Sequence, residues 1–238
     1  MKNRLFQSSS GDDLIQLLQA WRFWLLGSLV GALLGVLIYT IFPPDFRARA
    51  TVVVDFNMEQ AWPVDSDREL FYYLEREARK LEEVAWSDDV LDEVVNKVGD
   101  VSVEELRSGV LELSEPADGA WHFYANDPSA SRAEEFASAW SRSFTETTLQ
   151  GIEDAVALDA TREALEADPT DEVLLARVSE LEGVVLGITP EMQVSLAQAK
   201  NLKPIRRADM ANYIFVGAIS FMAFSALAVL VFEKVRRA

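Results

Sequence analysis

The sequence predicts an α/β (α+β) domain with a small membrane-proximal sheet and a protruding helical hairpin, flanked by two transmembrane helices. Three observations carry this expectation. Charge-free apolar runs stand at both ends, residues 23–42 and 213–232. A period-two alternation follows the first run. A long helical stretch broken by Asp168-Pro169-Thr170 occupies the second half of the region between the runs.

Each apolar run is 20 residues long; at about 1.5 Å rise per residue it matches a hydrocarbon core of about 30 Å. The N-terminal tail carries Lys2, Arg4 and Arg22, and the C-terminal tail carries Lys234, Arg236 and Arg237. The positive-inside rule therefore predicts both termini to be cytoplasmic, with the intervening block outside. That block, residues 43–211, holds 36 acidic residues against 16 basic ones, a net charge of −20. Loops of this length translocate largely regardless of charge. Arg206 and Arg207, just before the second run, oppose the bias. Ala48-Arg49-Ala50 has the form of a signal-peptide cleavage site, but the apolar run is longer than a signal core and the tail before it contains Asp12 and Asp13. An uncleaved anchor is the expectation. The chain has no cysteine, so no disulfide or thiolate metal site is available.

The expected segments are a tail (1–22), a first span (23–42), an α/β region (43–127), a helical hairpin (128–187), a final strand and return (188–211), a second span (212–232) and a tail (233–238). After Pro43-Pro44, the residues Phe46, Ala48, Ala50, Val52, Val54 and Phe56 alternate with Arg47, Arg49, Thr51, Val53 and Asp55, the pattern of a half-buried strand. Ser66 and Glu69 have capping-box spacing ahead of a helical stripe of Leu70, Phe71, Leu74, Ala78 and Leu81. Ser87 opens a helix carrying Val90, Leu91, Val94, Val95 and Val98, and Gly99 closes it. A short helix over residues 102–108 precedes two hairpin strands, 110–114 and 121–126, joined by Glu115-Pro116-Ala117-Asp118-Gly119.

The hairpin's first arm runs from about Pro128 to Ala167, and its return arm from Asp171 to about Leu186. Some 38 residues of helix extend about 57 Å. Apolar positions such as Phe136, Trp140, Phe144, Leu149 and Ile152 on the first arm, and Val173, Leu174, Val178 and Leu181 on the second, exceed what two solvated helices hide between them. Association of copies through a surface including Phe144 and Ile152 is the expectation, with core packing on the sheet as the alternative. Thr189-Pro190 ends the return arm, and Met192, Val194 and Leu196 mark a last strand.

Gly27, Gly31 and Gly35 recur every four residues in the first span. Such spacing lets another helix approach closely where lipid supplies no hydrophobic drive. The partner is expected in the second span, rich in Gly217, Ser220, Ala223 and Ser225, of the same or a neighbouring subunit. Trp21, Trp24, Tyr39 and Tyr213 lie near the ends of the runs, as interfacial anchors do. Arg47, Arg49, Arg206 and Arg207 are candidates for contact with phosphate headgroups or a glycolipid, against pairing with the chain's own carboxylates. Nothing points to catalysis: His122 is the single histidine, no glycine precedes a lysine, and adjacent acidic pairs diverge around their helices. No cofactor and no metal are expected, and the acidic block excludes nucleic acid as a partner.

The arrangement resembles a known family. Asp13-Leu14-Ile15-Gln16-Leu17-Leu18 before a Trp/Arg-containing approach to the first span, and Pro43-Pro44-Asp45-Phe46-Arg47-Ala48-Arg49-Ala50 followed by Val52-Val53-Val54, are similar to stretches of the polysaccharide co-polymerases, the Wzz-type chain-length determinant proteins. Ser102-Val103-Glu104-Glu105-Leu106 resembles their short central helix. Asp127-Pro128, Ala130, Ala133, Glu134, Phe136-Ala137 and Phe144 resemble the start of their long helix. Two departures stand out: Pro204 alone replaces the usual proline-rich approach to the second span, and the hairpin is short. The resemblance implies a non-enzymatic, ring-like homo-oligomer of the bacterial inner membrane, with its main domain periplasmic. It would regulate the length of a lipid-linked surface glycan, such as O-antigen, built by a separate polymerase. The alternatives are an export adaptor that modulates a separate tyrosine kinase, and a sensory ectodomain.

Overall fold

The computed structural model describes residues 19–57, 67–116, 119–197 and 203–236. In chain order the elements are α1 (Trp21–Ile41), β1 (Phe46–Asp55), α2 (Asp67–Ala85), α3 (Asp88–Val98), α4 (Val103–Glu105), β2 (Leu111–Leu113), β3 (Ala120–Asp127), α5 (Ala130–Ala167), α6 (Glu172–Val184), β4 (Gln193–Leu196), β5 (Ile205–Arg206) and α7 (Met210–Arg236). A π-helical turn, Leu106–Val110, links α4 to β2. The chain is thus mixed helix and sheet, with a helix long and apolar enough to cross a membrane near each end: Trp21–Ile41 and Met210–Phe232. Lys2, Arg4, Asp12 to Leu18, Ser66, Ala117-Asp118, Asn201-Leu202 and Arg237 lie outside the described residues.

Two compact units form. One contains α1 and α7; the other spans Asp45–Ile205. In the second, β2, β3, β1 and β4 form an antiparallel sheet in that order. The alternation of β1 works as period two requires: Ala48, Val52 and Val54 are buried, whereas Arg49, Val53 and Asp55 on the other face are exposed.

Helix α5 lies against the inner face of the sheet and is flanked by α2 and α3. Its first half buries a broad face, at Ala133, Phe136, Ala137, Trp140, Ser143, Phe144 and Thr148, while Glu134, Ser138, Arg142 and Glu146 form an exposed stripe. Polar side chains there are satisfied locally: the Thr145 and Thr148 hydroxyls donate to the Ser141 and Phe144 carbonyls, as the cost of burying an unpaired hydroxyl demands. Phe123 stacks edge-on against Trp140, with centroids 4.8 Å apart, and tilts onto Phe144 at 5.0 Å. The Trp140 indole N–H donates to the Ala85 carbonyl at 2.8 Å. Ser87 caps α3 by accepting from the Val90 N–H. Ser102 and Glu105 form a reciprocal capping box on the one-turn α4.

Two expectations are corrected. Phe144 is fully buried and Ile152 packs partly against the same core, so Phe144 belongs to the domain interior, not to a surface between copies. On a helix running between a sheet and other helices, an apolar stripe is consumed within the chain. Second, Phe71 is 69% exposed; the buried face of α2 runs instead through Tyr73, Glu77, Leu81 and Val84. The return arm lies within about two residues of its expected bounds, Asp171 to about Leu186. The 13 residues of α6 reach about 20 Å, against about 57 Å for the 38 residues of α5. After α6 the chain descends in extended form, and Leu186 and Ile188 lie close to Gly151 of α5, where a Cβ would sit 3.2 and 3.0 Å from their methyl groups.

Replacing Phe144 with Ala should cost about 3–5 kcal/mol of block stability through lost transfer and a residual cavity. Val173→Ala, at a position 77% exposed, should change it by less than about 0.5 kcal/mol. Denaturant unfolding followed by tryptophan fluorescence measures both, and equal effects would mean the core is misplaced.

Candidate functional site

The outer face of the sheet follows from register. Arg47 pairs with Asn126, Arg49 with Tyr124 and Thr51 with His122, while Glu112 pairs with Tyr124 on the other side. Because side chains alternate, these residues share one face, opposite the buried aromatic core. Arg47 donates to Glu112 at 2.7 Å and lays its guanidinium over the Tyr124 ring, 4.0 Å from the centroid. The ring of His122 meets Tyr124 edge-on at 6.0 Å. Its Nδ1 lies 3.0 Å from the Thr51 hydroxyl. Burial and then the charge of Arg49 hold His122 below the usual imidazole pKa. The face is therefore a short polar row of two arginines, a tyrosine and a neutral histidine, fixed on paired backbone.

Arg206 and Arg207 belong to the other unit. There the Arg206 guanidinium donates to the Pro44 carbonyl at 2.9 Å and lies 5.9 Å from the centroid of Tyr39; Arg207 is exposed. Tyr39 and Tyr213 meet edge-on at 5.4 Å.

The glycines of α1 face α7 of the same chain. A Cβ on Gly31 would overlap the Gly217 carbonyl, one on Gly35 the Tyr213 carbonyl, and one on Gly27 the Ser225 side chain. Gly217 in turn abuts Gly31. The two backbones are thus in direct contact within one chain.

Several apolar side chains of the outer hairpin find no cover within the block: Leu149, Val156, Val173, Leu175, Val184 and Leu186 are each at least 42% exposed. In this outer part of the hairpin Gly151, Ala155, Leu158 and Leu181 are buried. These residues, rather than Phe144, are the apolar surface the hairpin presents.

Sequence reasoning missed a buried polar group. Glu77 is fully buried; its Oε1 accepts from Lys80 at 2.9 Å and Arg76 at 3.3 Å, while Lys80 also donates to the Gly187 carbonyl. The pair ties α2 to the descending segment after α6. The signal available was its i+4 spacing from Tyr73 and to Leu81, two residues that also face inward. Another feature that sequence did not reveal is a groove of about 780 Å³ between α2 and the β2–β3 turn, lined by Phe71, Glu75, Arg79, Glu82, Leu113 and Trp121. Among the described residues no cluster of three His, Asp or Glu could hold a metal ion. No protein-family model and no curated protein matches this chain.

Two outcomes follow. His122 has a lowered pKa in the folded chain, so the unfolded chain takes up the proton first. Stability should fall as pH drops below about 6.5 and stop falling, for this group, once the folded histidine is protonated. His122→Gln should lack that increment, visible as a narrowing gap between the two stability-versus-pH curves on acidification. In the helix pair, Gly31→Leu should force α1 and α7 apart. A cysteine pair placed across their interface in this cysteine-free chain should then lose its disulfide in detergent; retained cross-linking would place the glycines elsewhere.

Proposed function

We propose that this chain is a non-enzymatic, oligomeric protein of the bacterial inner membrane that regulates the chain length of a lipid-linked surface polysaccharide. In this reading it is of the polysaccharide co-polymerase type. Both termini are cytoplasmic, the Asp45–Ile205 block is periplasmic, and a separate polymerase extends the glycan.

The observation that carries the reading is the order of parts: an apolar helix, a strand, helices, two hairpin strands, one very long helix, a short return helix, a closing strand and a second apolar helix. That order coincides with the ordered set of local resemblances along the sequence. The uncovered apolar residues of the outer hairpin support self-association, because burying them at about 25 cal/mol per Å² is a direct gain from bringing copies together. Regulation is then physical. An assembly of several hairpins engages the growing chain or the polymerase for a time set by its geometry.

The test uses cells that depend on this protein for a defined glycan ladder. Val156→Glu combined with Val173→Glu should lower the oligomer mass and shift the ladder, while block stability stays within about 0.5 kcal/mol because both sites are exposed. A Gly-Ser insertion after Pro169, at the exposed tip, should leave the ladder much closer to wild type. An unchanged ladder and oligomer in the double variant would remove the hairpin surface from the account.

A further inference from the structure

The outer face of the sheet holds a charge arrangement that the block's composition does not call for. Acidic residues outnumber basic ones 36 to 16 in residues 43–211, so carboxylate partners are plentiful. Arg49 is nevertheless exposed near the middle of β1 with no ion-pair or hydrogen-bond partner among the described residues. Two residues away on the same face, Arg47 is only partly answered: its terminal nitrogen reaches Glu112, whereas its Nε–H is buried without an acceptor. Same-face neighbours on a strand lie about 7 Å apart, so the two guanidiniums repel each other.

Tyr124 organises the group. It is the cross-strand partner of Arg49, stacks under Arg47 and meets the ring of His122. The Thr51 hydroxyl lies 3.0 Å from Nδ1; in the tautomer to which it donates, His122 keeps Nε2–H as a donor. Arg49, Arg47 and His122 thus stand in one row on rigid, paired backbone, and among the described residues Glu112 is the carboxylate that pairs with an arginine of the row.

We propose that this face binds a phosphate-bearing ligand, with Arg49 as the principal cation and His122 and Arg47 as flanking donors. Phosphate fits better than carboxylate. Its three or more oxygens can engage donors spread over two strands, and guanidinium recognises it in bidentate fashion. Among the described residues no carboxylate pairs with Arg49. A lipid headgroup, a lipid-linked diphosphate and a free phosphate share this chemistry. The inference does not depend on the length-regulator reading, and the glycan-ladder result leaves it untouched.

The single histidine supplies the test. The full chain, with its purification tag removed, is placed in nanodiscs of zwitterionic lipid, and its one labelled imidazole is titrated by NMR. Pyrophosphate is added against chloride at constant ionic strength, which separates binding from screening. Saturable movement of the His122 signal is expected, with a titration midpoint about one pH unit higher in the bound state, as a nearby anion favours imidazolium. Arg49→Gln should start from a raised midpoint and show no further response. The same rise in nanodiscs of anionic phospholipid, without added pyrophosphate, identifies headgroups as the source; its absence there identifies a free or lipid-linked diphosphate. No saturable response in either setting, or an equal response to chloride, overturns the proposal. So does a full response in the Arg49→Gln chain.

Discussion

The bond from the Trp140 indole N–H to the Ala85 carbonyl, 2.8 Å long, is the constraint around which the soluble block is built. It joins α5 to the end of α2, just where Ser87 starts α3. It satisfies a polar group that would otherwise be stranded in an aromatic core, a penalty on the order of 1–3 kcal/mol. Trp86 and Phe123 close on the same ring, each with centroids 4.8 Å away. Farther along, the Ser143 hydroxyl lies 2.8 Å from the Glu93 carboxylate, and Lys97 and Ser143 together hold the pKa of Glu93 below its usual range. These contacts clamp the first half of α5 between α3 and the sheet. A helix of 38 residues held at one end must project at the other, so the uncovered outer hairpin follows from the anchoring of its base.

Among the described residues of the block, helices cover one side of the sheet. Its inner face supplies Val52, Trp121 and Phe123 to the core. Its outer face carries the arginine–tyrosine–histidine row. The two faces are inseparable in register: shifting β1 by one residue against β3 would send Arg49 into the core and Val52 to solvent. The core therefore fixes where the polar row stands, and the row's rigidity comes from burial on the opposite side.

Much of the fold was legible in the sequence where one local rule dominated. The alternation of β1, the Ser87 cap, the Gly99 stop and the Asp168-Pro169-Thr170 break are each local chemistry, and the structure places them within a few residues of where spacing does. What local pattern cannot say is which neighbour consumes an apolar position. Phe144 and Val156 are both apolar positions of one helix; one is fully buried and the other half exposed. Glu77 was hard to read because its partner Lys80 meets the Gly187 carbonyl only after α6 has returned. Of the candidate residues, the glycine seam was readable from spacing alone. The row on the sheet was half readable, since Arg47 and Arg49 stood out while Tyr124 joined them only through strand pairing.

In the account offered here, the projecting hairpin exists to meet other copies, and assembly is what the proposed length regulator needs. Native mass spectrometry of the wild-type chain, released from detergent micelles at micromolar concentration, tests this most directly. A single closed oligomer of several 26.6 kDa subunits is the predicted result. A monomer across the full range of detergents that preserve the fold would contradict it.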